Sequence, residues 1–399
     1  MTTPRPSLKL PKLSVNLRQY GILAALAVII VLFQGLTGGR LLLPGNVNNL
    51  IQQNAYVLIL AVGMVIVIIA GHIDLSVGSL AAMVGAIAAI AMTQWNLPWW
   101  AAVILAIFAG AMVGAWQGFW IAFVGIPAFI VTLAGMLLFR GLTLVLLTGG
   151  TINALPAEFN AIGGGWVPAL LGSIGEGRGS RDILTIFLGL VASAMLLLQQ
   201  LRARGKQRKL QLVKEGPVSF WGKNAIAVVV ILALTWQLSA YRGTPIILVI
   251  VGVLILLFTF VLNRTVFGRH VYAIGGNLFA AQMSGVKTSW ISFFIFVNMG
   301  VLAGLAGIVT TARAGGAVAS AGQNFELDAI AAVFIGGAAV TGGVGTVIGA
   351  IVGALIMGVL NMGLSILSVD AAWQQAIKGL VLLLAVAFDA LSKRRAGGR

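Results

Sequence analysis

The feature that most limits what this chain can fold into is a set of long apolar stretches with no charged side chain, such as 23–32, 57–70 and 246–262. Their apolar character is continuous rather than alternating. Strands of a membrane barrel are about ten residues of alternating polarity. An unbroken run suits a helix, which satisfies its own backbone hydrogen bonds where no water can. Composition agrees: 60% of the residues are hydrophobic and 9% charged, against about a quarter charged in a soluble domain. Too few charges exist to cover a water-facing surface, so much of the apolar surface must face lipid. The expected fold class is all-α, a polytopic transmembrane bundle of about 10–12 spans.

Apolar stretches at 20–37, 54–71, 75–93, 99–124, 128–148, 183–201, 224–241, 244–262, 288–310, 326–341, 344–367 and 374–391 are read as twelve spans. Those at 75–93 and 326–341 are rich in Ala and Gly and are candidates for partial, re-entrant crossings. The first span follows Arg5, Lys9, Lys12 and Arg18. It is longer than the apolar core of a cleaved signal peptide and lacks a small-residue cleavage site, so it is read as retained. An even span count leaves both termini on one side. The N-terminal tail 1–19, the loops 202–223 and 263–287 and the C-terminal tail 392–399 then hold 18 of the 25 basic residues. Basic residues favour cytoplasmic segments, so both ends are expected in the cytoplasm. The net charge of +16 is thereby explained by anionic lipid headgroups and not by nucleic acid. Residues 20–391 form one transmembrane domain.

Chemistry of other kinds finds no foothold. There is no cysteine, and the two histidines, His72 and His270, lie far apart, so a metal site is not expected. A nucleotide-binding loop would read G-x-x-x-x-G-K-[ST], and neither Gly205-Lys206 nor Gly222-Lys223 fits it. Any ATPase must be a separate chain. Most glycines within spans (Gly300, Gly304, Gly307, Gly349, Gly353, Gly358) are read as close helix packing. Two segments stand apart: 71–78, Gly-His-Ile-Asp-Leu-Ser-Val-Gly, and 336–343, Gly-Gly-Ala-Ala-Val-Thr-Gly-Gly. Glycine-interrupted spans in the two halves of a transporter point toward its translocation site. The loop 263–287 mixes Val266, Phe267, Tyr272, Ile274, Leu278 and Phe279 with small residues. Such a surface is seldom left in water, and a short helix docked in a partner's groove accounts for it.

That loop resembles the corresponding segment of the ribose/xylose-type permeases of bacterial sugar ABC importers. The family pattern F-G-R-x-x-Y-A-I-G-G-N-x-E-A-A-x-x-S-G is matched at Phe267, Gly268, Arg269, Tyr272, Ala273, Ile274, Gly275, Gly276, Asn277, Ala280, Ala281, Ser284 and Gly285. Phe279 stands where the family has Glu, which removes one ion pair to a partner but not the docking. The stretch 70–79 resembles G-G-I-D-L-S-V-G-S, with His72 replacing a glycine; 127–133, 139–141 and 325–333 with Gly336-Gly337 match further signatures. Family members have about ten spans, so 149–243 reads as a central insertion with two extra spans, reminiscent of the xylose permeases. The resemblance implies a permease that moves a monosaccharide, xylose favoured, by alternating access in the bacterial inner membrane. It also implies a homodimer, a P-loop ATPase docked on 263–287, ATP-Mg bound by that partner and no cofactor on this chain, and an external sugar-binding protein.

The sparse intramembrane polar residues are the candidates for gate and path: Asp74, Ser76, Gly78, Arg140, Asn324, Glu326 and Asp328. Asp74 is expected to cap a helix starting at Leu75, with a gate hinge as the sharper reading. Arg140 is expected to pair with Glu326 or Asp328 across the bundle, as a tie between helices or as an outer gate. Glu326 and Asp328, with Gln323 and Asn324, suit a helix N-terminus. Trp95, Trp99 and Trp100 suit an interfacial belt, and Lys378 is placed to snorkel. The rival reading is an ion-gradient-driven sugar transporter, which would need titratable groups near the midplane.

Overall fold

The computed structural model describes residues 17–175, 180–210 and 216–397. Arg5, Lys9, Lys12, Arg178, Lys214 and Arg399, which enter the charge argument, lie outside the described residues. In chain order the elements are α1 (Leu17–Leu36), α2 (Pro44–Gln53), α3 (Ala55–Ile69), α4 (Val77–Thr93) and α5 (Trp99–Phe119), which runs on through a π-helical turn (Trp120–Val124). Next come α6 (Ala128–Leu146), β1 (Thr151–Asn153), α7 (Ala157–Gly164), β2 (Ser173–Ile174), β3 (Arg181–Asp182), α8 (Ile183–Lys209), α9 (Pro217–Ser239) and α10 (Ile246–Arg264). The remainder is α11 (Val266–Gly276), α12 (Leu278–Met283), α13 (Thr288–Ala314), β4 (Gly316–Val318), α14 (Phe325–Ile335), α15 (Val347–Ile366) and α16 (Ala371–Gly397).

Proline marks the starts. Pro44 and Pro217 open α2 and α9, and Pro98, Pro127, Pro156 and Pro245 stand just before α5, α6, α7 and α10. At these positions proline's fixed φ suits the helix, and its missing N–H costs nothing. Other starts are capped by side chains: Asp182 accepts from Leu184 N and Thr185 N, Thr265 from Gly268 N, Asn277 from Ala280 N and Thr346 from Gly349 N.

Among the described residues seven helices are long and apolar enough to cross a membrane: α5 with its π-helical turn, α6, α8, α9, α10, α13 and α15. The pair α2–α3, bent by 44°, makes an eighth, and the apolar parts of α1, α4 and α16 are shorter. The tenth expected span, 326–341, marked in the sequence as a candidate partial crossing, does not cross in full. Helix α14 has 11 residues, about 16 Å of rise against about 30 Å of hydrocarbon. It stops at Ile335 because Gly336-Gly337 follow, with Gly337 at φ +86°.

The core forms around α13, whose neighbours are α3, α4, α5 and α7, while α14 and α15 pack on each other and on α3. Helix α3 is buried along almost its whole length. The α5–α13 crossing is backbone on backbone: a Cβ at Gly110 would lie 2.5 Å from Gly300 O, closeness that only glycine permits. The 149–243 region divides in two. Helix α7 packs into the body against α13 and α10, whereas α8 and α9 pack mainly on each other, joined to α10 through Thr185 Oγ1 and Thr244 Oγ1 at 2.9 Å. A feature not expected from the sequence is the antiparallel pair β1–β4, in register Ile152 with Ala317, which ties the loop after α6 to the loop after α13.

Candidate functional site

The two glycine-interrupted segments meet each other and the 263–287 loop. Gly343 N–H donates to Ile69 O at 2.8 Å, and Tyr272 Oη donates to Gly345 O at 2.8 Å. Gly275 of α11 lies so close to the end of α3 that a Cβ there would fall on Ile69 O, 2.5 Å from Gly343 N. Three chain segments thus touch through main-chain atoms, with Gly71 and Gly343 in the left-handed region at φ +83° and +72°. Helix α11 therefore contacts both interruptions. Burial pushes the Tyr272 phenol above its ordinary value of 10.0, so the bond to Gly345 persists at neutral pH.

The 263–287 loop is two helices rather than one, parted at Asn277, which ends α11 and caps α12. Gly268 allows the tight approach of α11 to the end of α10, Phe267 packs against the core, and Ser284 Oγ returns to Ala280 O before Gly285 turns the chain at φ +81°. The residues of this loop therefore divide by exposure. Val271, Ile274 and Ala281 are buried, whereas Arg269, Gly276, Leu278, Phe279, Ala280 and Met283 are exposed, Phe279 by 69% and Met283 by 70%. Leu278, Phe279 and Met283 make an apolar face on α12 that suits a partner's groove.

From this end a file of polar groups leads into the bundle. Asp74 is 2% exposed and does not cap a helix starting at Leu75. Helix α4 starts at Val77, and the carboxylate accepts instead from Ser76 N–H at 2.8 Å and Ser76 Oγ at 2.7 Å. Gln117 Nε2 of α5 donates to Ser76 Oγ at 2.8 Å, and Gly135 of α6 leaves room for that amide. Gly78 is packed against Gly322 O and the Glu326 carboxylate. The file thus joins α4, α5, α6 and the start of α14. Gln117 was not singled out from the sequence, since an isolated Gln in an apolar span carries no pattern.

The pairing expected for Arg140 is also corrected. Its Nη1 donates to Ala321 O at 2.6 Å and Ala319 O at 3.1 Å, clasping the loop that leads into α14. Glu326 is near enough to be felt electrostatically, but Asp328 is engaged elsewhere. Tyr56 Oη donates to it at 2.6 Å, and Lys378 Nζ lies 3.2 Å from it. Lys378 therefore does not snorkel; it pairs inside the bundle because α16 lies against α14. Asn324 precedes α14 in the left-handed region at φ +62° and makes no side-chain cap. Trp95, Trp99 and Trp100 are exposed, as an interfacial belt requires. No cluster of metal-binding side chains occurs among the described residues.

A cavity of about 680 Å³ opens between the interruption 70–73, the turn after the π-helical turn, α12 and the start of α13. Its polar lining consists of His72, Gln282, Thr288, Ser289, Ser292 and Thr341, without a charged side chain. Neutral donors and acceptors in a space of this size suit an uncharged polar solute.

A family model described as the permease component of branched-chain amino acid transport systems matches residues 46–386. The chain is 41% identical to the xylose transport system permease protein of Haemophilus influenzae, over 96% of this chain and 98% of that one. Identity to the xylose transport system permease protein of Escherichia coli K12 is 40%, over 96% of this chain and 94% of the relative. The ribose import permease protein of Escherichia coli K12 is 34% identical over 92% of each chain. No solved structure matches the chain.

Proposed function

The chain belongs to the family of branched-chain amino acid transport system permease components, and we propose that within it this chain is the membrane subunit of an ATP-binding-cassette importer for xylose. The observation that carries the cargo is the gradient of similarity, 41% and 40% identity to two xylose permeases over nearly the whole chain against 34% to a ribose permease. The chain is not itself an enzyme; ATP-Mg is bound and hydrolysed by a cytoplasmic P-loop ATPase. The location is the bacterial inner membrane.

In this reading the ATPase grips the exposed face of α12, Leu278, Phe279 and Met283. Its closure moves α11, and Gly275 passes the motion to both interrupted segments. The end bearing α11 and α12 faces the cytoplasm, a direction supported by the basic residues of 202–209 and 263–287. The opposite end, where Arg140 clasps the 319–321 loop, receives sugar from an external binding protein. Two copies of the chain form the channel, and the neutral polar groups lining the cavity, Gln282, Thr288, Ser289, Ser292 and Thr341, supply weak contacts to hydroxyls. Tight binding by the permease would only slow release, because a site that must let go gains nothing from affinity in both states.

The test is growth. In a bacterium lacking its own xylose permease, the chain expressed with its ATPase and binding protein is expected to restore growth on xylose. Restoration on ribose alone would overturn the assigned cargo, and restoration without the ATPase would overturn the importer reading.

A further inference from the structure

The 680 Å³ cavity has a floor that the proposed path has not used. His72 lines it, yet its Nε2 is closed off and lacks a hydrogen-bond partner. His72 N–H donates to Val67 O at 3.0 Å, and the ring lies tilted against Phe296 with centroids 5.7 Å apart. A buried polar atom without a partner is a standing cost in any folded state. Such an atom is retained more readily where another state, or a ligand, satisfies it. Here the neighbouring Gly71 at φ +83° can absorb a change in backbone direction that would turn the ring toward the cavity. A histidine also stands where the family pattern has a glycine, which could make no such contact.

We propose that His72 is a sugar-contacting residue at the floor of this vestibule, its imidazole Nε2 bonding a hydroxyl of a neutral monosaccharide on its way out. This rests on the transport reading above. The chemistry of the remaining wall selects the ligand class. Gln282, Thr288, Ser289, Ser292 and Thr341 both donate and accept, as sugar hydroxyls do, and the absence of charge among the lining side chains disfavours an ionic cargo. One bond of this kind orients the sugar without holding it. It also couples release to the ATPase, because Gln282 and Leu278 of α12 form the facing wall.

Two arms test it, in the assembled transporter reconstituted with its ATPase and binding protein. In the first, H72G and H72Q are compared with the parent for D-xylose uptake. Loss of one neutral hydrogen bond corresponds to about three- to tenfold, so H72G is expected to lower the maximal rate by that factor with ATPase recovery unchanged. H72Q, which keeps a polar tip, is expected to restore most of it. In the second arm, H72C and the cavity-mouth variant S289C are labelled with a thiol reagent. The chain has no cysteine of its own, so labelling on this chain reports the introduced site alone. Saturating D-xylose is expected to slow labelling of H72C at least threefold, and that of S289C in the same wall as well, while a trisaccharide slows neither.

An H72G rate equal to the parent's, or H72C labelling indifferent to xylose, would overturn the proposal. If H72G fails to assemble, the labelling arm still decides. Should the parent move another monosaccharide and not xylose, the cargo assignment fails by itself, and the labelling arm repeated with that sugar decides the role of His72.

Discussion

Replacing Gly275 with alanine probes the junction through which the α12 face would act on the bundle. The added methyl would sit on Ile69 O, 2.8 Å from Ile69 C and 2.5 Å from Gly343 N. Ordinary carbon contacts begin at about 3.5 Å, so these main-chain atoms must give way by about 1–2 Å, Ile69 O the furthest. The Gly343 N–H to Ile69 O bond, 2.8 Å long, would then be stretched past its limit. Overpacking of this kind costs about 1–3 kcal/mol and the lost bond about 1 kcal/mol, a total of about 2–4 kcal/mol located at the junction. The neighbour supplies the control: a Cβ at Gly276 meets nothing within 4 Å, so G276A is expected to change stability by less than about 0.5 kcal/mol. The assay compares ATP hydrolysis and xylose uptake in proteoliposomes. G275A is expected to hydrolyse ATP while uptake falls at least tenfold, and G276A to resemble the parent in both. Equal uptake by G275A and the parent, at equal thermal stability, would refute the junction argument.

Four further outcomes are expected. The double variant F279K/M283K, which places cations on the exposed apolar face, should lose co-purification of the ATPase while its own thermal stability stays within about 0.5 kcal/mol, since both side chains are exposed. R140Q should raise amide hydrogen exchange across 319–324, because two charge-assisted bonds to Ala319 O and Ala321 O are lost, worth about 1.5–3 kcal/mol each. K378M leaves the Asp328 carboxylate, 4% exposed, with Tyr56 alone. Breaking such a pair costs about 3–5 kcal/mol, and adding D328N should recover much of it, as thermal unfolding in detergent will show. Because burial raises the Tyr272 phenol above 10.0, its contribution to stability is whole at neutral pH and fades only in alkali. Stability of the parent should therefore show no step from this group between roughly pH 6 and 8, and Y272F should lower stability by about 1 kcal/mol.

Helix positions were readable because lipid leaves the chain little choice: runs such as 246–262 can only be helices, and proline marks where several of them begin. The 263–287 motif was readable as a partner surface because apolar side chains in a loop with few charges require covering. Which of them face outward was not. Ala281 and Phe279 are equally prominent in the motif, but α12 buries the first and exposes the second, a matter of helix phase against α13. The contacts between distant segments were illegible for a related reason. Arg140 is bound by carbonyls of 319 and 321, and carbonyls have no sequence signature. Lys378 finds Asp328 only because α16 folds back on a half-length α14. The two interrupted segments were visible one by one, whereas their meeting at Gly275 depends on backbone contact that a glycine permits but does not announce.

The central claim, that this chain moves xylose only when a separate ATPase works, is tested most directly in sealed proteoliposomes holding the chain and its ATPase. Radiolabelled xylose and the binding protein are supplied on one side and ATP on the other. Uptake is expected to require ATP, to cease when the ATPase's catalytic glutamate is replaced, and to be unaffected by ionophores that collapse proton and sodium gradients. Uptake that continues without ATP and stops with the ionophore would contradict the account and assign the chain to gradient-driven transport.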